Sequence, residues 1–242
     1  MASETCRASP HHENRLLAAL DPADFARLEP HLEKVDLERG RELSDGARPP
    51  DFAWFPHESV LSIVASMREG RVAEMAAVGR EGVLGVSAAL GGGPLIGRAM
   101  VQVAGCASRI GFERLRAAAL ESPRLRHVLA LYTEALLAQA FQLTACNALH
   151  PVEARCCRWI LMTQDRVRGA FVPLTQEYLA EMLGVQRSTV TAVSRSLQAQ
   201  GMLTARRGSV SVADRARLEA AACECYGLIR QSFERLLPRT YD

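Results

Sequence analysis

The apolar positions in the first half of the chain occur in short runs that Gly and Pro residues interrupt. Between Val35 and Ile110 these runs have the length of strands, with a turn signal at Glu69-Gly70 and a loop-rich stretch over residues 79–94. The runs predicted as strands are Phe52–Pro56, Val60–Met67, Arg71–Val78, Ala99–Val103 and Ala107–Ile110. This spacing predicts an antiparallel sandwich or roll, preceded by a loose arm and by short helices over residues 13–32.

The period then changes from that of strands to that of a helix. Eight positions recur at alternating intervals of four and three residues, and they are Leu125, Leu129, Tyr132, Leu136, Gln139, Leu143, Cys146 and His150. Ser122-Pro123 starts this helix, which we predict over residues 124–147, and Pro151 ends it. We interpret the stripe from Leu125 to Leu143 as a dimerisation seam, and the alternative is that it packs on its own domain.

Residues 174–201, which follow a predicted helix over 152–168, have the pattern of two helices joined by a tight turn. Thr175 is a favourable N-cap, and Gly184 stands where the chain must turn sharply. Gln186 opens the second helix, whose inward positions are Val190, Val193 and Leu197. This arrangement predicts a helix-turn-helix, a motif that places the N-terminal residues of its second helix in the major groove of DNA.

The free face of the second predicted helix carries side chains that can read base edges. Arg187 can donate two hydrogen bonds to guanine, Gln186 can pair with adenine, and Thr189 and Ala192 can touch a thymine methyl. Hydroxyls at Ser188, Thr191 and Ser194 can bind phosphate oxygens. The candidate DNA-binding residues are Thr175, Gln176, Gln186, Arg187, Ser188, Thr189, Thr191, Ala192, Arg195, Arg206, Arg207 and Ser209.

Two short strand-like pieces follow and flank Arg206-Arg207-Gly208-Ser209, which predicts a hairpin, or wing, with a basic tip. The net charge of +2 conceals an asymmetry, because residues 151–242 hold 13 Arg against nine acidic residues. Within 186–217 there are six Arg and one acid, Asp214. A basic segment at a helix-turn-helix and a wing predicts a polyanionic partner, double-stranded DNA.

With these motifs in place, the chain resembles the cyclic-AMP receptor protein / fumarate-nitrate regulator (Crp/Fnr) superfamily over residues 13–237. The resemblance implies an α+β fold with three parts: a cyclic-nucleotide-binding-like β-roll sensor domain (1–121), a dimerisation helix (122–150) and a winged helix-turn-helix domain (151–242). It also implies a homodimeric cytoplasmic transcription regulator that binds a two-fold symmetric operator, with RNA polymerase as a further partner and no membrane.

The chain departs from the superfamily pattern at both functional sites. Members that read the best-known half-site carry Arg, Glu and Arg where this chain has Arg187, Ser188 and Ala192, so a different operator is expected. The cyclic-nucleotide pocket would fall at Gly82, Gly85, Arg98 and Ala99. Its ribose-binding Glu and phosphate-binding hydroxyl are missing, so we expect no cofactor and no cyclic-AMP binding in the usual mode.

The remaining composition narrows the alternatives. No apolar run reaches the roughly 18 residues of a membrane span, and the first 20 residues do not resemble a signal peptide. The seven cysteines, an odd number, favour reduced thiols, although Cys156-Cys157 and Cys223-Glu224-Cys225 could serve as redox or soft-metal sites. Known catalytic motifs are absent, so we expect no enzyme. The alternatives are a redox- or metal-responsive regulator that uses cysteines, and a cyclic-AMP-responsive one with an atypical pocket.

Overall fold

The computed structural model describes residues 3–8, 10–91, 93–167, 171–206 and 208–237. The chain begins with three short helices, α1 (Glu4–Ala8), α2 (Arg15–Ala18) and α3 (Pro22–Leu28). Buried Asn14 caps α2 by accepting a hydrogen bond from the Leu17 amide, and its own amide group donates to the carbonyls of Pro56 and Gly82. One polar side chain thus fastens the N-terminal helices to the sheet domain.

Seven strands form the two antiparallel sheets of this domain. They are β1 (Glu33–Leu37), β2 (Glu42–Ser44), β3 (Phe52–Pro56), β4 (Val60–Ser66), β5 (Val72–Val78), β6 (Arg98–Val103) and β7 (Gly105–Gly111), with helix α4 (Val86–Gly91) before β6. One sheet has the order β1-β7-β3 and the other β2-β6-β4-β5. Trp54 and Ala107 from the first sheet pack with Leu61, Ala99 and Val101 from the second in one apolar cluster. The predicted roll is confirmed.

The five strands predicted from the sequence are all present, each with ends shifted by two residues at most. The strands β1 and β2 were not predicted, because Glu33–Leu37 mixes charged and apolar residues and β2 has only three residues. Both strands pair with longer ones, β7 and β6, which supply the hydrogen bonds that their own sequences do not suggest.

Three helices lead from the roll to the C-terminal part, namely α5 (Phe112–Glu121), α6 (Pro123–Leu149) and α7 (Val152–Gln164). The Ser122 hydroxyl caps α6 by accepting a hydrogen bond from the Leu125 amide at 3.1 Å. Pro151 has an extended backbone and separates α6 from α7. The long helix and the one after it are therefore confirmed, whereas α5 was not predicted.

The predicted dimerisation seam is wrong, because the stripe faces the chain's own roll. Five of its six residues are buried within the single chain: Leu125, Leu129, Tyr132, Gln139 and Leu143. The sixth, Leu136, packs against the apolar cluster of the roll. Gln139 bonds the backbone amide and carbonyl of Ala77 in β5, and Tyr132 lies so close to Gly82 that any Cβ there would clash with its ring. A 3.5-residue stripe indicates that one face of a helix is buried, but it does not indicate which part of the protein covers that face.

Among the described residues, α6 is the one helix long and apolar enough to cross a membrane by length and composition. Its inward face contacts α4 and β5 of the same chain. Buried Gln139 on that face is hydrogen-bonded to the backbone of β5. This face of α6 is therefore covered by the chain's own sheet domain.

The C-terminal part contains the predicted helix-turn-helix and wing. Its elements are β8 (Phe171–Pro173), α8 (Gln176–Leu183), α9 (Arg187–Ala199), β9 (Leu203–Arg206), β10 (Ser209–Val212), α10 (Arg215–Ala221) and α11 (Cys225–Leu236). The three strands form one sheet in the order β8-β10-β9. The last helix, α11, returns to pack along α6, so the C-terminal part is attached to the long helix at both of its ends.

Buried polar contacts hold α7 and the residues just after it against the roll. Arg166 and Glu81 form an ion pair at 2.7 Å, with side chains only 1% and 2% exposed. Nearby, the Gln102 amide donates to the Thr163 hydroxyl at 3.0 Å. Because a buried charge that loses its partner costs several kcal/mol, about 3–5, this contact fixes the position of α7 strongly.

Two cysteines overturn the prediction that all thiols are reduced. Cys6 and Cys106 form a disulfide with their Cα atoms 5.3 Å apart. The bond joins the N-terminal arm to β7, two segments that are 100 residues apart in sequence, and no local pattern reveals such a pairing. The other cysteines, Cys146, Cys156, Cys157, Cys223 and Cys225, are free and buried.

Candidate nucleic-acid interface

The turn between α8 and α9 is built by three local features. The Thr175 hydroxyl accepts a hydrogen bond from the Tyr178 amide at 3.2 Å and so caps α8. Gly184 ends α8 in the left-handed region, with φ +66° and ψ 34°. The Val185 amide then donates to the Ala180 carbonyl at 2.9 Å, which closes the turn and aims α9 across α8. These are the positions at which the sequence predicted the cap and the turn.

The N-terminal end of α9 presents its predicted base-reading side chains to solvent. Val190 and Leu197 are buried beneath the helix. Five side chains on the opposite face are exposed, and they are Gln186, Arg187, Ser188, Thr189 and Ala192. Gln186 is the N-cap residue, and its side chain makes no capping hydrogen bond. The whole set therefore lies on one free surface at the end of the helix where a major groove would be entered.

Arg187 is held only loosely. Its guanidinium lies 3.3 Å from the Glu177 carboxylate, and the two side chains are 66% and 74% exposed. Such exposed ion pairs contribute at most about 1 kcal/mol, so a stronger partner can replace the carboxylate. Arg195, another of the candidate DNA-binding residues, is also exposed on α9.

Of the hydroxyls predicted to bind phosphate, that of Thr191 has a structural partner and that of Ser194 is buried. The Thr191 hydroxyl donates to the Gln176 side-chain carbonyl at 2.8 Å and thereby ties α9 to α8. Ser194 is buried, only 7% exposed, on the inward side of α9. Gln176 and Thr191 position the two helices, and Ser194 is removed from the candidate interface. The helical spacing places Thr191 and Ser194 at the edge of the exposed face of α9, and exposure is hardest to predict at such an edge.

The wing is a hairpin whose tip reverses at Gly208, with φ +78°. Ser209 pairs with Arg206 across the hairpin, and Ser209 itself is half-buried. The exposed guanidinium of Arg206 lies 4.5 Å above the ring of Phe171 in β8, a cation–π contact that extends it over the sheet edge. Phe171 was not singled out in the sequence. Arg207, the second basic residue of the predicted tip, lies outside the described residues.

A cleft of about 660 Å³ separates the base-reading end of α9 from the sensor domain. Gln186 and Arg187 line one wall, and the β4–β5 hairpin, residues 67–73, lines the other. At the bottom of the cleft, a Cβ on Gly184 would lie 3.6 Å from that of Ala73. The helix-turn-helix thus contacts the roll, and Gln186 and Arg187 of its recognition surface face the hairpin across the cleft.

The four predicted effector residues do not form a polar pocket. Arg98 is engaged on the sheet surface, where its Nη2 donates to the Glu42 carboxylate at 2.6 Å. Ala99 is buried in the apolar cluster of the roll. Gly82 lies against the ring of Tyr132, and Gly85 adopts φ +103° beside Ala53. Around Ala99, the interior of the roll is lined by apolar side chains that include Trp54, Leu61 and Val101.

The outward face of α6 carries a second 3.5-residue stripe that the sequence reading missed. All of its residues are exposed, and they are His127, Ala130, Glu134, Leu137, Phe141, Thr144 and Ala148. Phe141 is 71% exposed and Leu137 is 45% exposed. The stripe was overlooked because its polar and small residues make a weaker pattern than the leucines of the buried face.

Comparison with known proteins identifies the C-terminal part and the fold. Residues 154–221 match the Crp-like helix-turn-helix domain. No curated protein matches the chain. Among solved structures, FixK2 from Bradyrhizobium japonicum has a TM-score of 0.68 at 17% identity and covers 79% of this chain and 98% of that one.

Two further structures show the same fold. A crp/fnr-family transcriptional regulator from Eubacterium rectale has a TM-score of 0.61 at 18% identity, over 87% of this chain and 98% of that one. CLP from Xanthomonas campestris, described as a c-di-GMP responsive global regulator, has a TM-score of 0.62 at 16% identity, over 80% of this chain and 100% of that one. Each of the three likenesses covers more than three quarters of this chain.

Proposed function

We propose that this chain, whose fold and helix-turn-helix domain are those of the Crp/Fnr superfamily of transcription regulators, binds specific double-stranded DNA as a homodimer. The resemblance inferred from the sequence is confirmed at the level of the fold and of this domain. The observation that carries the proposal is the exposed face of α9 from Gln186 to Ala192, which stands at the N-terminal end of the second helix. The site is a binding surface, and we propose no catalytic step.

The chemistry of this face suits direct base reading. Arg187 would exchange Glu177 for the O6 and N7 acceptors of guanine, and Gln186 would pair with adenine. Thr189 and Ala192 would contact thymine methyl groups. Because Ser188 and Ala192 stand where the best-known half-site readers carry Glu and Arg, we propose an operator that differs from theirs at the matching base pairs.

Phosphate contacts would come from the edges of the same surface. Arg195 on α9 and Arg206 on the wing are both exposed. Thr175, Gln176 and Ser209 line the cleft of about 560 Å³ between the helix-turn-helix and the wing. Backbone contacts of this kind fix the orientation of a protein on the duplex and make the affinity depend on salt.

Homodimerisation would use the outward stripe of α6. Exposed Leu137 and Phe141 lie at its centre, and their 3.5-residue spacing is that of a two-helix seam. A two-fold axis along this helix would place one recognition helix on each side, so the operator would consist of two inverted half-sites. Such a regulator acts beside the chromosome, and we place it in the cytoplasm.

We propose further that cyclic AMP does not activate the protein. Arg98, the remaining candidate for the cyclic phosphate, is already paired with Glu42, and the interior of the roll is filled by apolar side chains. Isothermal titration of the full chain with cyclic AMP is expected to give no heat of binding. Saturable binding at micromolar concentration would overturn this part of the proposal and favour a responsive regulator with an atypical pocket.

Selection of bound DNA from a random pool tests the main proposal. The full chain is expected to enrich one inverted-repeat sequence, and its affinity should fall steeply with salt. Pools that remain random after repeated rounds, or a protein that binds no duplex at low salt, would refute it. Repeating the selection in the presence of a metabolite and redox panel would show which conditions change the affinity.

A further inference from the structure

Four metal-ligating side chains converge where the long helix ends and the last helix begins. Cys146 and His150 come from the final turns of α6, and Cys223 and Cys225 come from the entry to α11. One ligand atom from each lies within 4.8 Å of every other. The three cysteines are buried, and the His150 side chain is 20% exposed.

The backbone accounts for this convergence. Cys146 and His150 are separated by four residues on a helix, so their side chains lie on one face, one turn apart. Cys223 and Cys225 stand on either side of Glu224, where the chain turns into α11. Because α11 packs along α6, the two pairs meet, although 77 residues separate Cys146 from Cys223.

The distances fit a tetrahedral ion. The sulfurs of Cys146 and Cys223 are 3.4 Å apart, and the Cys225 sulfur is 3.6 Å from Nδ1 of His150. With Zn–S bonds of about 2.3 Å and Zn–N bonds of about 2.0 Å, tetrahedral ligand atoms stand roughly 3.5–3.8 Å apart. Small side-chain rotations therefore suffice to enclose an ion.

The surrounding side chains orient these groups as ligands. Nδ1 of His150 faces the sulfurs, while Nε2 lies 3.1 Å from the Glu224 carboxylate. A carboxylate that receives the far N–H of a histidine is the usual outer partner of a metal-bound imidazole. The Gln142 amide donates to the Cys225 sulfur at 3.1 Å, a contact that favours the thiolate.

The local charges also suit an anionic thiolate centre. The buried guanidinium of Arg158 interacts electrostatically with the Cys146 thiol. The buried guanidinium of Arg155 interacts electrostatically with the same group. Three thiolates and a neutral imidazole around a divalent ion carry a net charge of −1, which these two arginines offset.

Cys156 and Cys157 show the contrast with ordinary buried thiols. Among the described residues, neither Cys156 nor Cys157 belongs to a group of metal-ligating side chains. Both belong to the main apolar cluster of the protein. A cysteine pair in such surroundings has the role of small hydrophobic residues, so these two thiols supply a control for the others.

We propose that Cys146, His150, Cys223 and Cys225 form a tetrahedral Zn²⁺ site that fastens the start of α11 to the end of α6. Three sulfurs and one nitrogen are a donor set of structural zinc sites and suit a soft or borderline ion. The ion would join the C-terminal part to the long helix beside Pro151, where the two parts meet. The metal-binding claim does not depend on DNA binding; its use in regulation rests on the proposed function.

Metal titration of the chelator-treated full chain, with its Cys6–Cys106 disulfide intact, tests the site without any DNA. One equivalent of Co²⁺ should give the visible d–d bands and thiolate charge-transfer absorption of a tetrahedral thiolate complex, and Zn²⁺ should abolish both. Glu224→Gln removes an outer partner and should lower the metal affinity roughly 10–100-fold. Cys223→Ser and Cys225→Ser each remove a ligand and should lower it more. Cys157→Ser is the matched control and should bind as the natural protein does.

The cobalt spectrum of the unaltered protein is the first test of the site. Absence of a stoichiometric tetrahedral cobalt spectrum from a folded chain, verified by circular dichroism, overturns the site. Equal metal binding by Cys223→Ser and by Cys157→Ser also overturns it. Measuring operator binding by zinc-free and zinc-loaded protein then separates the two proposals, since a chain that binds zinc and no DNA would refute only the proposed function.

Discussion

At the scale of single residues, the candidate interface depends on a few exposed side chains that make only weak contacts within the protein. Arg187 is two-thirds exposed, and its partner Glu177 is more exposed still. By contrast, Thr191 is engaged in holding the two helices together. Exposure and partnership thus separate base-reading residues from positioning ones, a distinction that residue type and spacing did not provide.

Arg187→Ala should weaken binding to the selected operator by about 1–3 kcal/mol and relax the preference at one base pair. The reason is the loss of a bidentate contact with guanine. Fluorescence anisotropy with selected and random duplexes measures both effects. Arg235→Ala removes the same charge from an exposed position on α11 and should leave the affinity nearly unchanged. Equal losses on both duplexes for Arg187→Ala would show that the arginine contacts only phosphate.

Thr175→Ala should lower the free energy of unfolding by about 1 kcal/mol, because α8 loses the hydroxyl that caps its N-terminus. Urea denaturation measures the change. Thr175→Ser should recover most of it, and Thr204→Ala, at an exposed position on the wing, provides the control. If Thr175→Ala is as stable as the control, the cap contributes nothing to the helix-turn-helix.

At the scale of elements, α6 shows what a hydrophobic period can and cannot establish. The strong stripe of leucines correctly predicted a long helix. It wrongly predicted a second copy of the chain as the partner of that helix, since those residues cover the chain's own roll. The weaker stripe centred on Leu137 and Phe141 stays in solvent. The chain's own roll buries the more apolar face of the helix, and the less apolar face stays exposed, where we propose that a second copy packs.

Phe141→Glu should convert the homodimer to a monomer, because it places a charge at the centre of the exposed stripe. Sedimentation velocity at micromolar concentration measures the mass. Leu120→Glu makes a comparable change at a position on α5 that is 65% exposed and outside the stripe, and it should remain dimeric. A natural chain that is monomeric, or a Phe141→Glu variant that stays dimeric, would contradict the assignment of this face.

At the scale of the whole molecule, short-range signals were predictable and long-range pairings were not. The cap at Thr175, the turn at Gly184 and the hairpin at Gly208 are each specified by a few neighbouring residues. The Cys6–Cys106 disulfide joins residues 100 apart, and Cys146 meets Cys223 across 77. Arg166 and Glu81 are likewise distant in sequence and meet in the interior. Such contacts follow from the way the domains pack, which no local pattern encodes.

The docked position of the helix-turn-helix has a consequence for DNA binding. A helix that enters the major groove, about 12 Å wide, is flanked by phosphate strands on both sides. In this structure the β4–β5 hairpin occupies one of those sides, across the cleft from Gln186 and Arg187. We therefore expect DNA and the hairpin to compete for the same space, and we predict that binding requires the helix-turn-helix to move away from the roll.

Weakening this docking should raise the affinity for DNA. Ala73→Gln inserts a larger neutral side chain where α8 meets β5 at Gly184, while Ala47→Gln makes the same change in an exposed loop. The apparent dissociation constant equals the intrinsic one divided by the fraction of molecules that can bind DNA. Releasing the domain raises that fraction, so the apparent dissociation constant falls by the same factor. Anisotropy should show tighter operator binding for Ala73→Gln alone, and small-angle scattering a more extended chain. An extended variant whose affinity is unchanged would mean that the docked domain already reaches DNA.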